Sequence, residues 1–231
     1  MGPIIEDRKL RNKRFVFKDR REAGQALGTA LESHRGHGTI VLAIPSGGLP
    51  VAAEVARALD AVLDVVIVRK LQIPRNPEAG FGAISLNGET ILNQDLVSDL
   101  GLTADQIDRS KENALRDGRS RERALRGDRP ASQLAGLDVI IVDDGLASGY
   151  TMLAAIKAVK KEHPASITVA IPTGSDRSAE LVAKEADQVI CLNMRGMPFA
   201  VADAYRNWYD VDEEEAVQVL DSVHRPRSSG P

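Results

Sequence analysis

Val142-Asp143-Asp144-Gly145-Leu146-Ala147-Ser148-Gly149-Tyr150-Thr151 is the stretch on which the reading of this chain turns. The residues leading into it, Val139-Ile140-Ile141-Val142, are continuously apolar, the pattern of a strand buried on both faces of a parallel sheet. Such a strand delivers Asp143 and Asp144 to its carboxyl end, where ligands bind in open parallel sheets. Gly149 permits a backbone turn whose N–H groups face an anion. Ser148 and Thr151 add hydroxyl donors. The helix expected from about Thr151 to Glu162 adds the unpaired N–H groups and partial positive charge of its N-terminus. The two acids cannot also bind phosphate. They can accept hydrogen bonds from sugar hydroxyls, or hold Mg²⁺ through oxygen or water. A phosphate cup beside two carboxylates describes a sugar phosphate lying along the loop. Acid pairs after a strand also occur in response regulators and Walker B segments. The first lack the adjoining phosphate loop. The second need a Gly-Lys-Ser/Thr loop, and this sequence contains no Gly-Lys pair. A helix cap plus a surface charge is the plainer reading of the two acids, and the whole constellation weighs against it.

Upstream of this stretch, Asp19 with Glu22 has capping-box spacing and opens a helix whose apolar positions are Ala23, Ala26, Leu27, Ala30 and Leu31. Thr39 to Ile44 is a second apolar run, followed by the tight loop Pro45-Ser46-Gly47-Gly48 and a helix from about Pro50 to Leu59. Asp64 to Lys70 reads as the next strand, which makes a βαβ unit. Residues 71–83 carry Pro74, Pro77, Gly80 and Gly82 and read as a long loop, and loops of that length are usually functional. Asn87-Gly88 between two short apolar runs signals a hairpin. Thr103 with Gln106 caps a polar helix to about Arg126, whose mixed charges mark a solvated surface.

Downstream, Ile167 to Ile171 and Gln188 to Leu192 read as strands with a helix between them over about Ser178 to Glu185. Alternating strands and helices predict an α/β fold: three layers, a mostly parallel twisted sheet with helices on both faces, plus a hairpin and a helical insertion at about 94–130. Residues 1–14 form a basic arm, with Arg8, Lys9, Arg11, Lys13 and Arg14, for which solvation is the ordinary expectation. The main domain spans 15–222, and 223–231 reads as a disordered tail.

With 231 residues, the chain suits one domain or one domain with a small addition. Its net charge of −3 supplies no global field for nucleic acid or membrane. Cys191 is the single cysteine and lies in an apolar run, so no internal disulfide can form and a reducing cytoplasm is expected. No signal-peptide pattern opens the sequence and no apolar run would span a bilayer. His34 and His37 are three apart, but they sit at a helix end before glycines with no second ligand pair in view. Trp208 and Tyr209 suit packing of the C-terminal segment better than stacking on a base.

The segment from Val142 to Thr151 resembles the phosphoribosyl pyrophosphate (PRPP) motif of type I phosphoribosyltransferases. Ile44-Pro45-Ser46-Gly47-Gly48 resembles that family's pyrophosphate loop. Val68-Arg69-Lys70, with Pro74-Arg75-Asn76-Pro77-Glu78 and Gly82-Ala83, resembles the second strand and flexible loop of a bacterial and archaeal group with no assigned acceptor. The tail from Phe199-Ala200-Val201 to Trp208-Tyr209 resembles that group too. The resemblance covers about residues 15 to 220. It implies the type I phosphoribosyltransferase fold and Mg²⁺-dependent transfer of a phosphoribosyl group from PRPP to a small-molecule acceptor. Asp143 and Asp144 would hold the ribose hydroxyls and Mg²⁺. Ala147, Ser148, Gly149, Tyr150 and Thr151 would bind the 5′-phosphate. Ser46, Gly47, Gly48 and Lys70 would hold pyrophosphate. Pro172 and Thr173 would lie near the acceptor, and loop 71–83 would close over the site. A homodimer is the expectation from the fold group, and neither membrane nor nucleic acid is an expected partner. Ser46 departs from the pattern, because related sequences commonly carry Arg there. A non-enzymatic sensor of PRPP or nucleotide is the alternative, since one fold hosts many functions.

Overall fold

The computed structural model describes residues 1–36, 38–74 and 76–224, with the backbone alone described for Pro77, Glu78 and His224. In chain order the elements are β1 (Ile4–Ile5), α1 (Arg20–Ala30), β2 (Thr39–Ala43), α2 (Gly48–Leu59), β3 (Val62–Val65), β4 (Val68–Ile73), β5 (Asn76–Ser85) and β6 (Thr90–Leu92). Then follow α3 (Gln94–Asp99), α4 (Ala104–Arg126), β7 (Asp138–Val142), α5 (Tyr150–Lys160), β8 (Ser166–Ser175), α6 (Asp176–Ala183), β9 (Gln188–Arg195) and α7 (Glu213–His224).

Six strands form one sheet in the order β1-β9-β8-β7-β2-β3, and every pair in it is parallel. Alternate residues of each run serve opposite layers, which is why the runs are apolar throughout. Val139 and Ile141 pack toward α5 and α6, while Ile140 and Val142 pack toward α1, α2 and α7. The order reverses between β2 and β7. From β2 the chain crosses outward to β3, and from β7 it crosses the other way to β8. The loops after these two neighbouring strands diverge there, and a crevice opens between them.

Three local readings change. The run from Asp64 to Lys70 is two strands rather than one: β3 ends at Val65 and Val68 begins a separate antiparallel sheet, β4-β5-β6. Residues 71–83 are largely strand, paired across β4 and β5 with register shifts near Leu71, Gln72 and Ile73. Gly80 and Gly82 hid the alternation, because glycine occupies these strand positions where a neighbour comes too close for a side chain. A Cβ at Gly80 would lie 2.2 Å from Lys70 Cγ, and one at Gly82 would lie 2.3 Å from the Ile91 carbonyl oxygen. The N-terminal arm is docked: β1 extends the sheet beside β9, and Arg11 donates to Glu6 and to Asp176 at 2.7 Å each. The hairpin at Asn87-Gly88 forms as read, with the Gly88 N–H bonded to the Ser85 carbonyl. Residue 223 lies within α7, His224 ends it, and the tail from Arg225 lies outside the described residues, as do His37 and Arg75. Among the described residues no helix is long and apolar enough to cross a membrane.

The small sheet lies between two helical elements. Val68 and Ala83 share a core with α5, while Leu71, Phe81 and Ile84 pack with Ala114 of α4. The insertion is therefore packed against the domain and not merely solvated. Its far end is anchored by Arg126, whose Nη1 donates to both Asp64 oxygens at 2.6 and 2.8 Å. Nη2 donates to the Val65 carbonyl at 2.7 Å, and the Ser132 N–H donates to Asp64 Oδ2 at 2.9 Å. Burial pushes the Asp64 carboxyl up, but Arg126 and Ser132 outweigh it and hold the group below its ordinary value.

Asp64→Asn is expected to destabilise the protein by about 3 kcal/mol in urea unfolding, since it leaves the largely buried Arg126 with only the more distant, more exposed Glu122 as a counter-charge. The folded-state pKa of Asp64 is depressed, so its contribution is complete above the unfolded carboxylate pKa. That contribution is lost as pH falls through the lower folded value. The stability gap between wild type and D64N should accordingly close on acidification. A gap that persists unchanged at acid pH would refute the assignment.

Candidate active site

Paired registers bring the two switch-point loops together. Ala43 of β2 lies opposite Val142 of β7, and the Ile44 N–H donates to the Val142 carbonyl at 2.9 Å. Pro45-Ser46-Gly47 thus starts level with Asp143-Asp144. A Cβ at Gly47 would lie 2.1 Å from Asp144 Oδ2, so only glycine lets the first loop come this close to the acid.

A cleft of ≈ 500 Å³ opens at this junction. One wall carries Asp143, Asp144 and the following loop through Gly149 and Thr151; the other carries Ser46, Gly47 and Lys70. Gly149 has φ +85° and caps α5, which sets the first helical N–H groups toward the cleft. Among the described residues, no protein acceptor is paired with the backbone N–H of Ala147, Ser148 or Gly149. The loop is fixed from behind: the Leu146 N–H donates to the Thr173 carbonyl at 2.9 Å, and Ser178 Oγ donates to the Ala147 carbonyl. Unpaired N–H groups and hydroxyls at a helix N-terminus make an anion seat.

The acids sit in a different electrostatic setting. The Asp144 N–H donates to Asp143 Oδ1 at 2.8 Å. Burial first, and the neighbouring Asp144 second, hold the Asp143 carboxyl well above the usual carboxylate range. Burial also raises Asp144, and Arg20 pulls it part of the way back. Arg20 is 4% exposed and donates from Nε to Asp144 Oδ2 at 2.9 Å. Its guanidinium lies 4.0 Å from the centre of the Trp208 ring, and its Nη1 donates to the Tyr209 carbonyl at 2.8 Å. The Tyr205 hydroxyl donates to the Asp144 carbonyl. Burial and the neighbouring acid favour the neutral form of Asp143, whereas Arg20 favours the charged form of Asp144. No group of three or more His, Cys, Asp or Glu among the described residues could make a metal site from protein alone. Two carboxylates with room beside them fit a Mg²⁺ ion carried mainly by substrate oxygens and water.

Most expected site residues line the cleft, and four do not: Tyr150 packs against the core shared by α5 and α6, and Gly48, Pro172 and Thr173 are engaged elsewhere. The Gly48 N–H is engaged by the Ile44 carbonyl at 3.1 Å, so only Ser46 and Gly47 face the cleft from that loop. Pro172 and Thr173 are buried within β8, and Thr173 Oγ1 donates to Asn193 Oδ1 at 2.8 Å. Strand β8 runs to Ser175, past the expected end at Ile171, which keeps both residues inside the sheet. Arg20 and Arg121 also line the cleft; the sequence assigns Arg20 no role and places Arg121 only among the charges of the polar helix. Arg20 continues the helical spacing of Ala23 and Leu27, and a charge in register with an apolar stripe was the available signal.

Residues 17–207 match the family model of the phosphoribosyl transferase domain. Two curated Mycobacterium tuberculosis proteins, from strains CDC 1551 and H37Rv, are each 39% identical over 210 residues, covering 91% of this chain and 47% of theirs. Both carry a provisional phosphoribosyl transferase name that states no acceptor. This chain spans about half the length of those curated relatives. The crystal structure of TT1426 from Thermus thermophilus superimposes with a TM-score of 0.73 at 35% identity, covering 88% of this chain and 97% of that one. A hypothetical protein from Neisseria gonorrhoeae, solved with bound ppGpp, has a TM-score of 0.50 at 14% identity over 92% and 97% of the two chains, and so shares the fold.

Arg20→Ala is expected to lower Tm by about 6–12 °C, because it strands a partly buried carboxylate. It should also change the emission of Trp208, the single tryptophan of the chain, whose ring faces the guanidinium. Unaltered fluorescence would show that the two groups do not stack in solution.

Proposed function

Starting from the fact that this chain belongs to the phosphoribosyltransferase family, we propose that it binds PRPP with Mg²⁺ in this cleft and transfers the phosphoribosyl group to a small-molecule acceptor. The observation that carries the reading is the meeting of an acid pair and an anion seat in one crevice. Those two chemistries match the hydroxyl-bearing and phosphate-bearing ends of one sugar phosphate.

Ala147 to Thr151 hold the 5′-phosphate with backbone N–H groups and the Ser148 and Thr151 hydroxyls. Asp143 and Asp144 accept hydrogen bonds from the ribose hydroxyls and would hold Mg²⁺. Bound Mg²⁺ would offset negative charge on the pyrophosphate oxygens. In the reaction the bond from ribose C1 to pyrophosphate breaks, and its electron pair leaves with the pyrophosphate. The acceptor's lone pair forms the new bond to C1, and an acceptor N–H then releases its proton. No side chain need become covalently attached. The protein's part is to hold the reactants in line and to meet charge where it develops. Lys70, on β4, lines the cleft, and in this reading its ammonium meets the pyrophosphate. The β4–β5 hairpin occupies the place expected of the closing loop, and its closure would exclude water that hydrolyses PRPP. A nucleobase is the acceptor class proposed, with a homodimer in the cytoplasm as the accompanying expectation from the family.

The test is mass spectrometry of the protein incubated with Mg²⁺, PRPP and a pool of purine, pyrimidine and pyridine bases. A new nucleotide mass is expected. Asp143→Asn with Asp144→Asn together should abolish Mg²⁺-dependent PRPP binding while circular dichroism stays native. A folded double variant with undiminished PRPP affinity would overturn the reading.

A further inference from the structure

Arg121 belongs to the insertion, yet it reaches the cleft of the main domain. Its Nη1 donates to Ser46 Oγ at 3.2 Å, so the insertion places a guanidinium over the Ser46-Gly47 loop. The helix comes close because of Gly118. A Cβ there would lie 2.7 Å from Leu86 Cδ2 and 3.3 Å from Arg69 Cγ. Arg121 shares the inward face of α4 with the buried residues Ala114, Gly118 and Leu125. A solvated charge would sit on the other face.

The charge balance around it is unfavourable as it stands. Burial first and the nearby Arg69 second lower the Arg121 pKa, and Glu213 opposes them only in part. Among the described residues no carboxylate lies within ion-pair distance of Arg121 or Arg69. Lys70 lines the same cleft, and it also lines an adjoining cavity of ≈ 400 Å³ together with Arg69. Lys70 and Arg121 thus line the cleft from two elements, and Arg69 lies near enough to Arg121 to repel its charge. Two neighbouring guanidiniums with no carboxylate partner among the described residues, as Arg69 and Arg121 are, are relieved by a polyanion, and a planar guanidinium engages phosphate oxygens two at a time.

We infer that Arg121 is a catalytic residue, which binds the diphosphate leaving group and supplies from the insertion helix the cation that position 46 lacks. This rests on the cleft being the PRPP site. As the bond from C1 to the leaving oxygen breaks, the electron pair moves onto the diphosphate, and Arg121 neutralises charge where it accumulates. Ser46 takes a new part: its hydroxyl accepts from Arg121 and holds the guanidinium over the loop.

Calorimetry on the full chain with Mg²⁺-PRPP, Mg²⁺-diphosphate and ribose 5-phosphate tests this. Arg121→Ala and Arg121→Gln, the second keeping most of the side chain's length, are each expected to weaken diphosphate binding about 10- to 100-fold, as for loss of a charge-assisted contact. Ribose 5-phosphate affinity should stay within about twofold, since its seat lies on the other loop. Ser46→Arg added to Arg121→Ala is expected to restore diphosphate affinity by returning the cation to the loop. Undiminished diphosphate affinity in both single variants, or an equal loss of both ligands, would overturn the assignment while leaving the PRPP site standing. Wild-type protein that binds neither PRPP nor diphosphate would instead refute the site itself, and this assignment with it.

Discussion

The contact of Asp144 with Gly47 on one side and Arg20 on the other is what the rest of the site depends on. Glycine at 47 is obligatory, because a Cβ would fall 2.1 Å from the acid's oxygen. Arg20 then fixes that same oxygen from the first helix. Through Trp208 and Tyr209 the guanidinium also ties in the segment before α7. One ion pair therefore registers the first loop, the second loop, helix α1 and the C-terminal segment against each other. Stability alone is a weak reason for it, since burying both charges costs about as much as their attraction returns. Its value lies in position: the acid next to Asp143 is held at one place and in one rotamer.

The insertion answers a different need. The parallel sheet supplies a crevice at its switch point but no roof, because β3 is an edge and the chain leaves the sheet after Val65. The β4-β5-β6 sheet and α4 fill that side as a second small core. Arg126, clamped on Asp64 and Val65, sets the axis of α4 relative to the main sheet. Arg121 lies five residues earlier on the same helix, so the clamp that orients the insertion also sets where its guanidinium arrives.

The framework was legible because two-sided burial leaves an unmistakable mark: the largely apolar runs at 39–44, 139–142 and 167–171, the first two ending in a glycine- or acid-bearing loop. The acid pair and the Ser148-Gly149 turn that opens α5 were legible for the same reason, as residues of fixed chemistry just past a strand. The hairpin of residues 71–83 was not. Its turn and second strand carry Pro74 and Pro77, and its glycines stand where the neighbouring strand crowds out a side chain. Nor was the docking of the N-terminal arm, whose basic residues find acids distant in sequence, such as Arg11 with Asp176 and Arg14 with Asp203. Arg20 and Arg121 share one cause of oversight. Each looked like surface charge in a polar helix, yet each is spaced with its helix's buried stripe. An arginine that interrupts an apolar stripe must find an anion inside the fold or hold one for a ligand.

Those two arginines illustrate both outcomes, and the difference between them explains how the cleft keeps opposite charges apart. Arg20 meets Asp144 directly and is spent in that pair. Arg121 could have been neutralised likewise had the two acids been within its reach. The Gly47 loop stands between, offering a serine hydroxyl and backbone rather than a carboxylate. The carboxylates stay on the β7 side of the cleft and Arg121 on the opposite wall. A ligand that is cation-seeking at one end and polyanionic at the other can then bridge them. Were Arg121 free to collapse onto Asp143, the cleft would close on itself as an internal salt bridge. The separation is imposed by elements anchored elsewhere, α4 through Asp64 and the acid pair through β7, so that binding energy can go into holding a ligand rather than prising apart an ion pair.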